Sequence, residues 1–143
     1  MQNLVMKQVD VFTTTPFSGN PAGVITEADS LSSDMMLSIA GEMNLSETTF
    51  VTLPSSDQAL FRIRFFMPTE EINLSGHAMI ASCYALIEEG RIPLEDGLTK
   101  VLFETRAGIA QLDVHFRKGA PARGAADGGI VLSIAGTGTG VLE

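Results

Sequence analysis

The sequence predicts an α+β fold: a strongly bent, mostly antiparallel, β-barrel-like sheet wrapped around a central α-helix. Two observations carry that expectation. Several short segments alternate apolar and polar residues, as half-buried strands do, and the segment Gly76 to Glu89 is apolar on nearly every side. A helix of that second kind has to be enclosed by other elements.

Taken in order, Lys7-Gln8-Val9-Asp10-Val11-Phe12 alternates like a strand, and Phe17-Ser18-Gly19-Asn20-Pro21 interrupts it with turn chemistry. Ala22 to Ile25 reads as a second short strand. After Ser30 the period changes. Leu31, Met35, Ile39 and Met43 recur at four-residue spacing, with Ser32 or Ser33 available as a cap, which predicts an amphipathic helix ending near Asn44. Strands are expected again at Thr48 to Leu53 and Leu60 to Phe66, joined as a hairpin across Pro54-Ser55-Ser56-Asp57. Arg62 and Arg64 alternate there with Phe61, Ile63 and Phe65, so one face of that strand is polar. The enclosed helix starts at Gly76 and stops at Gly90. Val101 to Thr105 and Ile109 to Phe116 form a further antiparallel pair. Beyond Arg117 glycine and alanine dominate, so residues 1–118 are read as the domain and 119–143 as a tail, with Ile130 to Ile134 a candidate last strand and Gly136 to Gly140 expected to be mobile.

Composition narrows the function. Apolar residues make up 45% of the 143, and charged residues 18%. A net charge of −8 argues against non-specific binding to nucleic acid or to an anionic membrane. No run of about 18 apolar residues suits a membrane span, and no leader pattern opens the chain. A soluble, cytoplasmic protein is expected. Cys83 is the single cysteine, among apolar neighbours, and is read as a small buried residue.

The chemistry concentrates at Leu74-Ser75-Gly76-His77-Ala78, where a strand runs into the apolar helix. The first amides of a helix lack intrahelical partners and sit at the positive end of its dipole, which suits a carboxylate or phosphate. Ser75 is placed to cap that helix, Gly76 allows a ligand close to the backbone, and His77 can donate, accept or shuttle a proton. A small-molecule acid is the ligand this pattern implies. A capped helix with a partly exposed histidine gives the same sequence. His77 and His115 have no carboxylate or thiolate cluster at ligand spacing, so no metal site is expected; His115, alternating with Val114 and Phe116, is read as solvent-facing.

Three segments together resemble the first half of the phenazine biosynthesis PhzF family, whose fold is that of diaminopimelate epimerase. They are Val9-Asp10-Val11-Phe12 with Pro16-Phe17-Ser18-Gly19-Asn20-Pro21, then Asn44-Leu45-Ser46-Glu47-Thr48-Thr49-Phe50-Val51, then Arg64-Phe65-Phe66-Met67-Pro68 through Ser75-Gly76-His77-Ala78. The resemblance implies a cofactor-independent isomerase or isomerase-like protein that moves a proton on a small carboxylic or amino-acid-like ligand. It implies that Glu47 is the general acid/base, that His77 joins it, and that Asn20, Ser75, Gly76 and His77 lie at the substrate. Ala22-Gly23, Asn73 and Met79 depart from the family pattern. The second domain, which supplies the opposite wall of the cleft in full-length members, has no counterpart in these residues. A homodimer sharing its cleft, a non-catalytic binding or interaction module, and a truncated relic of a two-domain isomerase are the readings this leaves.

Overall fold

In the computed structural model, which describes residues 4–11, 20–117, 130–134 and 141–142, the predicted alternation appears as β1 (Met6–Val11), paired antiparallel with β2 (Asn20–Ile25). Helix α1 (Ser33–Met43) leads to β3 (Glu47–Thr52), which lies parallel to β2. β3 and β4 (Phe61–Phe66) form the expected antiparallel hairpin. The two-residue strand β5 (Glu71–Ile72) pairs with the end of β4, and α2 (Gly76–Glu88) carries the chain to β6 (Gly97–Thr105), parallel to β4. β7 (Gly108–Phe116), β8 (Ile130–Ile134) and β9 (Val141–Leu142) follow as an antiparallel meander. Among the described residues the order is β1-β2-β3-β4-β6-β7-β8-β9, with β5 beside β4, and the sheet does not close.

Among the described residues two pairings are parallel and six antiparallel. Parallel neighbours need a long crossover. α1 supplies it for β2 and β3, and α2 for β4 and β6.

The sheet has two occupied faces. On the inner face Val24, Val51, Ile63, Phe65 and Phe103 surround α2, whose Ala78, Met79, Ala81, Cys83, Ala85 and Leu86 are buried. The helix is enclosed on nearly every side, as its sequence requires. On the outer face Ile25, Phe50 and Phe66 pack against Met36 and Ala40 of α1, with the Phe50 and Phe66 rings edge-to-face at 5.3 Å.

The buried stripe of α1 differs from the expected one. Met35 and Met43 are 47% and 41% exposed, while Met36 and Ala40 face the sheet. A strict four-residue spacing overshoots the helical repeat by about 40° at each step, so Leu31, Met35, Ile39 and Met43 cannot share one narrow seam. Ala40, small and buried, lets the helix approach the sheet closely. The ends agree with expectation: Ser32 Oγ accepts from the Met35 amide at 3.2 Å, and Asn44 ends the helix in the left-handed conformation at φ 52°.

Arg62 and Arg64 lie on the outer face. Arg64 makes a bidentate pair with Glu71 (2.9 and 2.8 Å) and donates to Ser33 Oγ; Arg62 Nε stands 3.9 Å from Glu104. At its far end α2 is tied to the sheet by Glu89, which accepts from Thr26 Oγ1 at 2.8 Å and lies 3.3 Å from Lys7 Nζ. Gly90, at φ 72°, then turns the chain away. The glycine and alanine stretch 118–129 and the residues 135–140 lie outside the described residues, whereas Ile130 to Ile134 form the predicted strand.

Candidate functional site

Glu47 opens β3, beside Ala22 of β2. Two residues on, Thr49 is buried and bonded to Ser82 of α2, and Val51 packs in the core around that helix. Side chains two apart in a strand share a face, so Glu47 also faces α2, at the level of the helix N-terminus.

Ser75 and His77 meet it there. The Ser75 hydroxyl donates to Glu47 Oε2. His77 Nε2 lies 3.3 Å from the same oxygen, and the Glu47 and His77 side chains are 14% and 31% exposed. The Nε2 atom itself is buried and has no aligned hydrogen-bond partner among the described residues, so the approach to Glu47 is a close contact rather than a formed bond. The arrangement puts an imidazole nitrogen and a carboxylate oxygen side by side, where both can reach a group bound next to them.

Ser75 corrects one expectation. It occupies the N-cap position in an extended conformation, yet its side chain makes no bond to the helix. Glu47 has taken the hydroxyl. The amides of Gly76, His77 and Ala78 precede the first intrahelical bond, from the Met79 amide to the Ser75 carbonyl at 2.9 Å, so the helix offers them no carbonyl. With no acidic residue in the first turn of α2, Glu47 brings a carboxylate to the positive end of the dipole from β3.

The other predicted residues fall as follows. The backbone of Asn20 begins β2 opposite Val11, two residues ahead of Ala22, and so lies at the same end of the sheet as Glu47; its side chain and residues 12–19 are outside what the structure describes. His115 is exposed on β7. Cys83 is fully buried, and burial pushes its thiol up to about 12, leaving no thiolate to act as a nucleophile at neutral pH. Among the described residues no three His, Cys, Asp or Glu side chains gather as a metal site would require, and no helix is long and apolar enough to cross a membrane.

Thr49 and Ser82 were missed by sequence reasoning. Thr49 Oγ1 and Ser82 Oγ are 2.7 Å apart, both residues fully buried, directly beneath the Glu47 contact. The available signal was a serine within the apolar run of α2 and a threonine alternating with Val51 on one face of β3.

A bent sheet folded around one helix, with carboxylate, hydroxyl and imidazole at that helix's N-terminus, defines a diaminopimelate epimerase-like domain. The chain belongs to the PhzC-PhzF family, described as "Phenazine biosynthesis-like protein", whose family model matches residues 9–126. It is 42% identical over 112 residues to "Antisense-enhancing sequence 1" of Schizosaccharomyces pombe, a match covering 78% of this chain and 37% of that protein. To "Uncharacterized isomerase YfhB" of Bacillus subtilis it is 39% identical over 119 residues, covering 83% and 39%. The crystal structure of the PhzF-family phenazine biosynthesis protein of Bacillus anthracis superposes with a TM-score of 0.71 at 32% identity, covering 93% of this chain and 40% of that one. The chain thus spans about two fifths of the length of these relatives. The resemblance read from the three motif segments is borne out, and with it the fold.

Proposed function

We propose that this chain supplies one wall of an isomerase-type site, in which Glu47 exchanges a proton with a small carboxylic or amino-acid-like ligand held at the N-terminus of α2. The observation that carries the reading is the convergence of Ser75 Oγ and His77 Nε2 on one oxygen of Glu47 beside three helix amides without intrahelical acceptors. Family membership and a relative named as an isomerase point the same way.

The division of labour follows from the groups. The Gly76, His77 and Ala78 amides, at the positive helix end, receive the ligand carboxylate. Glu47 takes a proton from a carbon activated by a neighbouring carbonyl or double bond and returns it to that carbon or to one conjugated with it. Ser75 and His77 stabilise the carboxylate, and His77 donates to charge developing on the ligand. Asn20, at the same end of the sheet, contributes a further contact. These steps need no cofactor.

Removing a carbon-bound proton also needs water excluded from around the base. A second copy of the chain, facing this one across the cleft, supplies the opposite wall in this reading and brings a second Glu47 to the other side of the ligand. Leu74, the exposed apolar residue next to Ser75 in the chain, suits burial of that kind.

Two measurements test the proposal. In an amide-resolved NMR titration with acetate and L-aspartate, the Gly76, His77 and Ala78 resonances are expected to shift most; if the largest shifts fall elsewhere, the anion site is wrong. Light scattering is expected to return twice the 15.2 kDa chain mass, and a strict monomer at every concentration refutes the shared cleft.

A further inference from the structure

We infer that the buried Thr49–Ser82 hydroxyl pair is a positioning device that sets the height of α2 along β3, and thereby the distance from Glu47 to Ser75 and His77. The inference rests on the proposed role of Glu47 for its functional meaning, but its geometry stands by itself.

The hydrogen bonds run in one direction. Ser82 Oγ donates to the Ala78 carbonyl at 2.8 Å, which commits its only proton. Ser82 must then accept from Thr49 Oγ1, 2.7 Å away. Gly23 O, 3.4 Å from Thr49 Oγ1, is a secondary acceptor for the same proton. The relay therefore joins β2, β3 and α2 through two hydroxyls that water does not reach.

Its location matters more than its strength. Thr49 lies about 6.6 Å along the strand from Glu47, and Ser82 lies about 7.5 Å along the helix from His77. These two spans nearly match, so a bond between Thr49 and Ser82 brings His77 level with Glu47. Ala78, Met79, Ala81, Ala85 and Leu86 of α2 meet the inner face through aliphatic and aromatic side chains. Apolar contact resists separation but has little directional preference, so it permits a small slide of the helix. A hydrogen bond with fixed length and angle does not. Other polar ties of α2 to the sheet are the Ser75–Glu47 bond at the site itself and those of Glu89 to Thr26 and Lys7 at the opposite end of the helix, more than three turns from Ser75.

The test separates holding the helix in place from merely stabilising it. Thr49→Val and Ser82→Ala each leave one buried hydroxyl short of its partner, and a Tm lowered by about 3–8 °C is expected for each. In the double variant both hydroxyls are gone, and most of that loss should be recovered. The decisive readout is nuclear Overhauser contact between the Glu47 γ-methylene and the His77 ring, measured in wild type and all variants. It is expected to fall by at least half in Ser82→Ala and in the double variant, and to persist in Thr49→Ser, which keeps the hydroxyl. Contacts unchanged in the double variant overturn the inference and make the pair purely stabilising, as does their loss in Thr49→Ser. Ser82→Ala removes one oxygen and favours helix, so it carries the test by itself if the other variants do not fold. Because no turnover is measured, failure here is distinguishable from failure of the proposed acid/base role.

Discussion

Replacing Leu86 by alanine probes whether α2 is the enclosed element on which the site is mounted. Leu86 is 0% exposed and lies within the core formed with Ile63, Phe65 and Phe103. The substitution removes three carbons, a transfer loss of about 2.4 kcal/mol. If the surroundings keep a void of about 50 Å³, the cavity adds about 1.2 kcal/mol. A 143-residue chain has an unfolding entropy of about 0.3 kcal/mol/K, so the sum converts to a Tm lowered by about 12 °C. The assay is thermal unfolding by circular dichroism, with Leu53→Ala, at a residue 68% exposed, as a control expected to stay within about 0.5 kcal/mol of wild type. A drop below about 3 °C for Leu86→Ala refutes the reasoning, because a helix that loses so little cannot be surrounded by the sheet.

Acid unfolding should depend on Glu71, whose carboxyl is held below its usual range by its hydrogen bonds from Arg64, with Arg106 3.2 Å away adding to the effect. A depressed carboxyl stabilises the fold above its unfolded value, near 4.5, and that contribution disappears as the pH falls through the folded value. Glu71→Gln is therefore expected to lower Tm at pH 7 by an amount equivalent to about 1 kcal/mol for a partly exposed pair and to converge with wild type below that window; parallel Tm curves down to pH 2.5 contradict this. Cys83, buried and with its thiol pushed up to about 12, should react with a disulfide reagent at pH 8 only through unfolding. Its labelling rate should rise with denaturant in step with loss of ellipticity, and rapid labelling of the native protein contradicts the packing described.

The strands and the enclosed helix were legible because their burial repeats locally. Phe61, Ile63 and Phe65 against Arg62 and Arg64 spell out one strand, and Ala78 to Leu86 spell out a helix with no exposed side. The parallel pairings of β2 with β3 and β4 with β6 were not legible, since they depend on where each crossover helix returns the chain. β5 is too short to have a period. In α1 methionine stands at both 35 and 36, so hydropathy does not choose between them, and it is Met36, one turn before the small Ala40, that is buried.

The site was legible in a different way. Glu47 and His77 are separated by 30 positions, and nothing in the local sequence of either announces the other. Their pairing came from the family resemblance, and the structure adds the reason they meet: β3 and α2 run side by side from the same end of the sheet. Ser75 looked like a cap because its position and residue type fit one. Only the arrival of a carboxylate from another strand redirects its hydroxyl.

Proton transfer by Glu47 is measured by incubating the protein in D2O with a panel of small amino acids and hydroxy acids and following deuterium incorporation by mass spectrometry. Incorporation into at least one of them is expected, slowed by at least about 100-fold in Glu47→Gln. Incorporation that persists in Glu47→Gln at the wild-type rate, or its absence throughout the panel for a chain shown to be dimeric, contradicts it.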